Sequence, residues 1–227
     1  MRKALVTGAN KGIGLETVKQ LRATGYMVYM AVRDLNKGKL ALKSFTEKDL
    51  QNIVLLELDV SKAESVTKAF STLQELDVLI NNAGINYDSW NTVSAADLEN
   101  VHETFETNFF GAWRTTQAAI PLLKKSSSAR IVNVSSEAGS LQSLGANSPG
   151  YSASKAALNA FTISLAHELS QTKILVNSIC PGWIATDMGG AGGGSVELGG
   201  KSIMWAVNIP DGGPSGGFFR HGKSIPW

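Results

Sequence analysis

Cysteine is all but missing from this chain. Cys180 stands alone among 227 residues, which excludes an internal disulfide and any cysteine-cluster metal site and suits a reducing compartment. Charge of one sign is equally scarce. Twenty-one basic and 19 acidic residues leave a net charge of +2, with no basic block, so neither nucleic acid nor an anionic membrane is the expected partner. The opening MRKALVTGAN holds an apolar run far too short for a signal peptide or a membrane span, and a cytoplasmic location is expected. The one G-x-S-x-G run, Gly213–Gly217, lies in the glycine-rich tail and is not followed by a helical pattern, so it is no nucleophile elbow and a serine hydrolase is not expected. No internal repeat is visible, and no metal site is expected.

What is present reads as one α/β domain spanning residues 1–227. Hydrophobic residues make up 43% and charged residues 18%, an ordinary globular balance with enough chain for a real core. Short β-branched runs predict strands at 4–7, 27–32, 53–60, 77–82, 130–136 and 174–180. Helical patterns alternate with them. GLETVKQLRATG carries apolar Leu15, Val18 and Leu21 and stops at Gly25. SKAESVTKAFSTLQ offers Ser61 as N-cap with Glu64 three residues on. The stretch 95–125 is long for one helix, with Gly111 a candidate interruption, and YSASKAALNAFTISLAHELS is the strongest helix. Repeated βαβ units with near-continuous apolar strands indicate a doubly wound parallel sheet with helices on both faces.

Glycine is unevenly spread. Of 23 glycines, 13 fall in the last 46 residues, seven of them within 188–200. Such density raises the entropic cost of ordering, so a flexible flap is expected there. The aromatic ending GGFFRHGKSIPW is expected to fold back onto the body.

After the first strand comes TGANKGIG. Gly8, Gly12 and Gly14 lie between a strand and a helix N-terminus, where main-chain N–H groups and the helix dipole favour an anion such as a pyrophosphate. Asn10, Lys11 and Ile13 complete that loop. At the end of the second strand, Val32 is followed by Arg33 and Asp34. Asp34 lies 20 residues beyond Gly14, as a ribose-binding acid would, but it also suits the N-cap of the next helix. Arg33 can fork onto a 2′-phosphate, and Lys11 adds a second cation. Two cations outweigh one acid that has another use, and NADP(H) is the expected cofactor.

Tyr151 and Lys155 in YSASK share one helix face, about a turn apart. By itself this spacing is common. Together with TGANKGIG, NNAG at 81–84, Asn108 in ETNFFGAW, IVNVSS at 131–136 and PGWIATDM at 181–188, it resembles the compact short-chain dehydrogenase/reductase family in order and spacing. More narrowly, TGANKGIG, VRDLNKG and the aromatic ending resemble the NADPH-dependent carbonyl reductase branch. The resemblance implies a Rossmann-type domain with a mostly or wholly parallel seven-stranded sheet. It implies that Tyr151 is the proton donor, that Lys155 lowers the phenol pKa and bonds the nicotinamide ribose, and that Ser136 holds the substrate oxygen. Asn108 would carry a water linking Lys155 to solvent. Asp59, with Val60 beside it, resembles the adenine-contacting acid, and Asn82, Ala83 and Gly84 the adenosine-side lining. Pro181, Gly182, Ile184 and Thr186 resemble the loop that holds the carboxamide.

The expected activity is therefore NADPH-dependent reduction of an aldehyde or ketone. A 3-oxoacyl or sugar-type reductase is the alternative enzyme, and a non-catalytic NADP-binding regulator the alternative class. His167, 16 residues after Tyr151, falls about 160° around the helix and is read as structural or interfacial. Trp90, Trp113 and Trp205 are read as core or interface residues. Only 14 residues separate Ser136 from Tyr151, too few for an insertion that would block the paired-helix surface, so a homodimer or homotetramer is expected.

Overall fold

The computed structural model describes residues 1–227. Strands β1 (Lys3–Thr7), β2 (Met27–Val32), β3 (Ile53–Glu57), β4 (Val78–Asn81), β5 (Ala129–Val134), β6 (Ile174–Ile179), β7 (Phe218–Arg220) and β8 (Lys223–Ser224) form one sheet. Their order is β3-β2-β1-β4-β5-β6-β7-β8. All neighbours are parallel except β7 and β8, which close antiparallel through Phe219–Ser224 and Arg220–Lys223. The expected seven strands are thus eight. The extra one is a two-residue return of the chain end, too short to leave a pattern of its own.

Alternation along each strand sends successive side chains to opposite faces, and the two faces build two cores. Leu5, Leu79 and Ile131 join one core with Phe70, Leu123, Leu158 and Phe161. Ala4, Val6, Ile80 and Val132 join the other with Val18, Leu21, Ile203 and Val207. Helices α4 (Ala63–Ser71), α6 (Gly111–Leu123) and α7 (Pro149–Glu168) cover the first face. Helices α1 (Gly12–Ala23) and α8 (Val196–Val207) cover the second. The short α2 (Leu35–Leu42), α3 (Glu47–Leu50) and α5 (Leu98–Phe105) complete the helices. This is a doubly wound Rossmann-type fold, in which the loops after the strand C-termini gather along one edge.

Two local expectations are corrected, and the break expected near Gly111 is found. Ser61 does not cap α4; its hydroxyl donates to Asp59 Oδ1 at 2.6 Å, and the N-cap position belongs to Lys62, which makes no side-chain cap. The stretch 95–125 contains one turn of π-helix, Glu106–Phe110, between α5 and α6. Gly111 follows it because a Cβ there would stand 3.0 Å from Val60 Cβ. Finally, 196–200 is helical. Gly199 and Gly200 let α8 close onto α1, since added Cβ atoms would meet Ile13 Cγ1 at 3.2 Å and Glu16 Cγ at 3.0 Å.

Candidate active site

The groups expected to bind an anion line up where β1 meets α1. Gly8 adopts φ +63°, a left-handed conformation that costs glycine little. A Cβ on Gly14 would lie 2.5 Å from the Gly8 carbonyl oxygen and 3.1 Å from Ala9 Cα. The loop is therefore as tight as its main chain permits. Lys11 stands at the N-cap position without a side-chain cap, and the first turn of α1 carries no acid. The positive end of the helix dipole is left open to an anion. Asn82 braces the loop from β4, its Nδ2 donating to Thr7 O at 2.8 Å and Gly8 O at 3.2 Å. Thr7 Oγ1 in turn accepts from the Asn82 and Ala83 amides, each at 3.0 Å.

At the outer end of this groove, Arg33 is exposed just beyond β2. Asp34 is turned away from it and caps α2, its Oδ1 accepting from Asn36 N at 2.8 Å and Lys37 N at 3.2 Å. Lys11 is not free, because its Nζ pairs with Asp187 Oδ2 at 2.6 Å. Asp59 Oδ1 accepts from the amide and hydroxyl of Ser61, and Val60 is buried against Gly111. At the other end, Thr186 approaches Gly12, where an added Cβ would lie 3.4 Å from Thr186 Cγ2. Ile184 is buried, and Gly182, next to Pro181, has φ +88° with the His221 ring beside it.

Four residues meet where β4, β5 and α7 converge. Tyr151 stands in the first turn of α7 with its phenol in hydrogen-bonding reach of the Ser136 hydroxyl. Ser136 follows β5, and its Oγ also accepts from Ala138 N at 3.2 Å. Lys155, one turn along, is buried, and its Nζ donates to Val134 O at 2.8 Å. Asn108 sits in the π-turn and is fully engaged. Its Oδ1 accepts from Ile85 N at 2.8 Å, while its Nδ2 donates to Ile85 O at 2.9 Å and Ser154 Oγ at 3.0 Å. Gly84 keeps a gap open between them, because a Cβ there would lie 3.4 Å from Asn108 Oδ1 and 3.6 Å from Lys155 Nζ.

Burial dominates the protonation of this cluster. It pushes the Tyr151 phenol up to about 12, against the opposing pull of the Ser136 hydrogen bond. It brings the Lys155 ammonium down to about 8. The lowering of the phenol pKa expected of Lys155 depends on an oxidised nicotinamide beside it; with protein groups alone, burial is the larger effect. The ammonium is spent on Val134, 5.6 Å from the Tyr151 ring centre, while removal from water acts on the phenol directly. Such a cluster offers a neutral phenol as proton donor, a hydroxyl to orient an oxygen, and a cation behind both.

The sequence did not single out several neighbours of this cluster. Glu137, next to Ser136, forms an ion pair with Arg220 beyond β6, and Gln142 N donates to Trp227 O at 3.4 Å. The chain end is therefore tied to the segment that follows β5 and Ser136. Cys180 lies behind, its sulfur accepting from Glu137 N at 3.3 Å, with burial pushing the thiol pKa up. His167 is exposed on the far side of α7 among Lys173, Ser170 and Asp211, away from Tyr151. The glycine stretch lies on the 183–186 loop: Ala185 N donates to Gly194 O at 2.8 Å and Gly194 N to Trp183 O at 2.7 Å.

Comparison with known proteins identifies the family and the fold. The short chain dehydrogenase family profile covers residues 2–193. Salutaridine reductase of Papaver bracteatum is 32% identical over 300 residues, covering 96% of this chain and 94% of the relative. Among solved structures, the NADPH-bound carbonyl reductase from chicken fatty liver superposes with TM-score 0.87 at 32% identity, over 100% of this chain and 99% of that one. The carbonyl reductase Sniffer of D. melanogaster gives TM-score 0.89 at 29% identity, over the whole of both chains. No helix is long and apolar enough to cross a membrane.

Proposed function

The chain belongs to the short chain dehydrogenase family, and from that premise we propose that it reduces an aldehyde or ketone to the alcohol with NADPH. The observation that carries this reading is the geometry of the buried cluster: the Tyr151 phenol stands within reach of the Ser136 hydroxyl, with the buried Lys155 ammonium one helical turn along and anchored to Val134 O.

The residues present suit a dinucleotide. Gly8, Asn10, Lys11, Gly12, Ile13 and Gly14 would hold the pyrophosphate at an uncapped helix end. Arg33 would take the 2′-phosphate, and Asp59 and Val60 would line the adenine. Asn82, Ala83 and Gly84 would line the adenosine side, while Tyr151 and Lys155 would reach the nicotinamide ribose. Pro181, Gly182, Ile184 and Thr186 would hold the carboxamide. When bound, NADPH supplies the hydride.

Tyr151 donates its phenolic proton to the carbonyl oxygen as that oxygen gains charge, a transfer worth typically ~10²–10⁴ in rate. Ser136 orients the same oxygen through its hydroxyl. Lys155, an ammonium below about pH 8, stabilises the tyrosinate left behind. The side chain of Asn108 is already committed, so a water on the proton path is held by the main-chain carbonyl that a π-turn releases from the helical ladder.

Assembly follows from α6 and α7. A groove of about 410 Å³ between them is lined by Phe109, Trp113, Ile120, Phe161 and Leu165. Trp113 remains 40% exposed and Phe110 43% exposed, a surface that pairing with a second copy would cover. We infer a homo-oligomer on that basis. Purified protein assayed by NADPH absorbance against aldehydes, quinones, 3-ketoesters and sugars is expected to turn over at least one carbonyl class. Inactivity across the panel, with NADPH bound, would favour the regulatory alternative.

A further inference from the structure

We propose that Asp88 is a positioning residue for Tyr151: its carboxylate, delivered by the loop after β4, is the N-cap that α7 does not carry in its own sequence. The inference rests on Tyr151 being the proton donor.

Helix α7 starts badly by its own means. Ser148, at the N-cap position, has φ 55° and makes no side-chain cap. Pro149, the first helical residue, has no N–H. The first amide in need of an acceptor is that of Gly150, and it donates to Asp88 Oδ2 at 2.6 Å. Asp88 is only 1% exposed, and its other oxygen, Oδ1, has no protein partner. A buried carboxylate without a cation is costly; the positive end of a 20-residue helix offsets that cost.

The loop that carries Asp88 is bound to the chain just before the helix. Asn91 N donates to Asp88 O at 3.0 Å, and Ser148 N donates to Asn91 O at 3.2 Å. Thr92 and Asn147 form an antiparallel bridge. Gly150 lacks a side chain where one would collide, since a Cβ would stand 3.0 Å from Asp88 Oδ2 and 3.1 Å from Val101 Cγ2. Tyr151 comes next. Its main chain is tied on one side through Gly150 to Asp88. On the other, Ser154 Oγ donates to Tyr151 O at 2.7 Å and accepts from Asn108. With the first turn loosened, the phenol no longer stays against Ser136, and a displacement of about 1 Å can cost a reaction ~10²-fold.

The test compares Asp88→Ala with Asp88→Asn, which keeps an acceptor oxygen. Asp88→Ala is expected to lower kcat by about 10- to 100-fold while the KM for NADPH moves less than about twofold. Hydrogen exchange at the amides of residues 150–152 should accelerate, and that at 158–166 should not. Asp88→Asn should restore most of both. The proposal is overturned if Asp88→Ala keeps kcat within about twofold, if exchange accelerates along the whole of α7, or if Asp88→Asn behaves as Asp88→Ala. Should wild type reduce no carbonyl, the catalytic reading fails by itself, and the exchange comparison still decides whether Asp88 holds the first turn.

Discussion

The ammonium of Lys155 lies 2.8 Å from the carbonyl oxygen of Val134 and 5.6 Å from the centre of the Tyr151 ring. The lysine is thus anchored to the sheet, and the Ser136 hydroxyl is the group within reach of the phenol. In the proposed reduction the phenol is the donor and the cation waits behind it. Its influence acts when the proton leaves, on the tyrosinate rather than on the resting phenol.

Tyr151→Phe removes the transferable proton and keeps the ring in its place. Turnover is expected to fall by roughly 10²–10⁴, while NADPH still binds, as read by quenching of protein fluorescence. Near-normal turnover in this variant removes Tyr151 from its role.

Lys155 carries a stability cost that pH can reveal. Its pKa is about 8 in the fold against 10.5 as the ordinary value, so between those limits the unfolded chain binds more protons. Stability from this group therefore rises as pH climbs through 8 toward 10.5, and the full cost is borne below 8. Cys180 and Tyr151 are shifted upward from 9.0 and 10.0, so they act oppositely, but only at higher pH. Between pH 8 and 9 the gain is about 1 kcal/mol. Lys155→Met should lose that rise in urea titrations and lose activity with it. An unchanged pH slope in the variant would show that Lys155 is not the group responsible.

Much of the site was legible because its chemistry needs fixed residue types at fixed spacings. A glycine loop between strand and helix, and a Tyr and Lys one helical turn apart, are local statements that a sequence can make. Strand β2 was read at its observed limits, since Met27–Val32 is bounded by Gly25 and by the polar Arg33–Asp34. What escaped was set by distant neighbours. Gly199 and Gly200 read as loss of order, yet they mark where α8 lies against α1. Ser61 reads as a cap, but Asp59 competes for its hydroxyl. The cap of α7 comes from Asp88, 62 residues away, beyond the reach of any local pattern. The phenol pKa depends on how much water the fold removes, which no spacing encodes.

The aromatic cluster on α6 and α7 predicts self-association. The Trp113 ring packs 4.9 Å from that of Phe161 and 5.5 Å from that of Phe109, which leaves its outer face rigid and ready to be covered. Trp113→Arg should shift light-scattering mass toward the monomer at micromolar concentration, with the fold retained by circular dichroism. A wild type that is itself a clean monomer under those conditions would overturn the assembly.

Arg33 is the residue proposed to read a 2′-phosphate, and in the structure its neighbours Asp34 and Lys11 are otherwise engaged. Asp34 is committed to the start of α2 through the Asn36 and Lys37 amides, so its charge is directed away from a phosphate on Arg33. Lys11 is held by Asp187, and both side chains are exposed, so that pair is weak and screened by salt. Placing an acid one residue earlier would be a poor test. Val32 is 0% exposed, and a Cβ on Gly38 would already come within 2.9 Å of its Cγ2, so Val32→Asp would bury a charge before it changed any preference. Arg33→Ala is the cleaner change. A charge-assisted hydrogen bond is worth roughly 1.5–3 kcal/mol, so the KM for NADPH should rise about ten- to a hundredfold. NADH has no 2′-phosphate and should be little affected. Asp187→Asn frees Lys11 and should, at low salt, leave NADPH bound at least as tightly as in wild type. Equal weakening of both cofactors by Arg33→Ala, or wild-type use of NADH as readily as NADPH, would show that Arg33 does not read the phosphate.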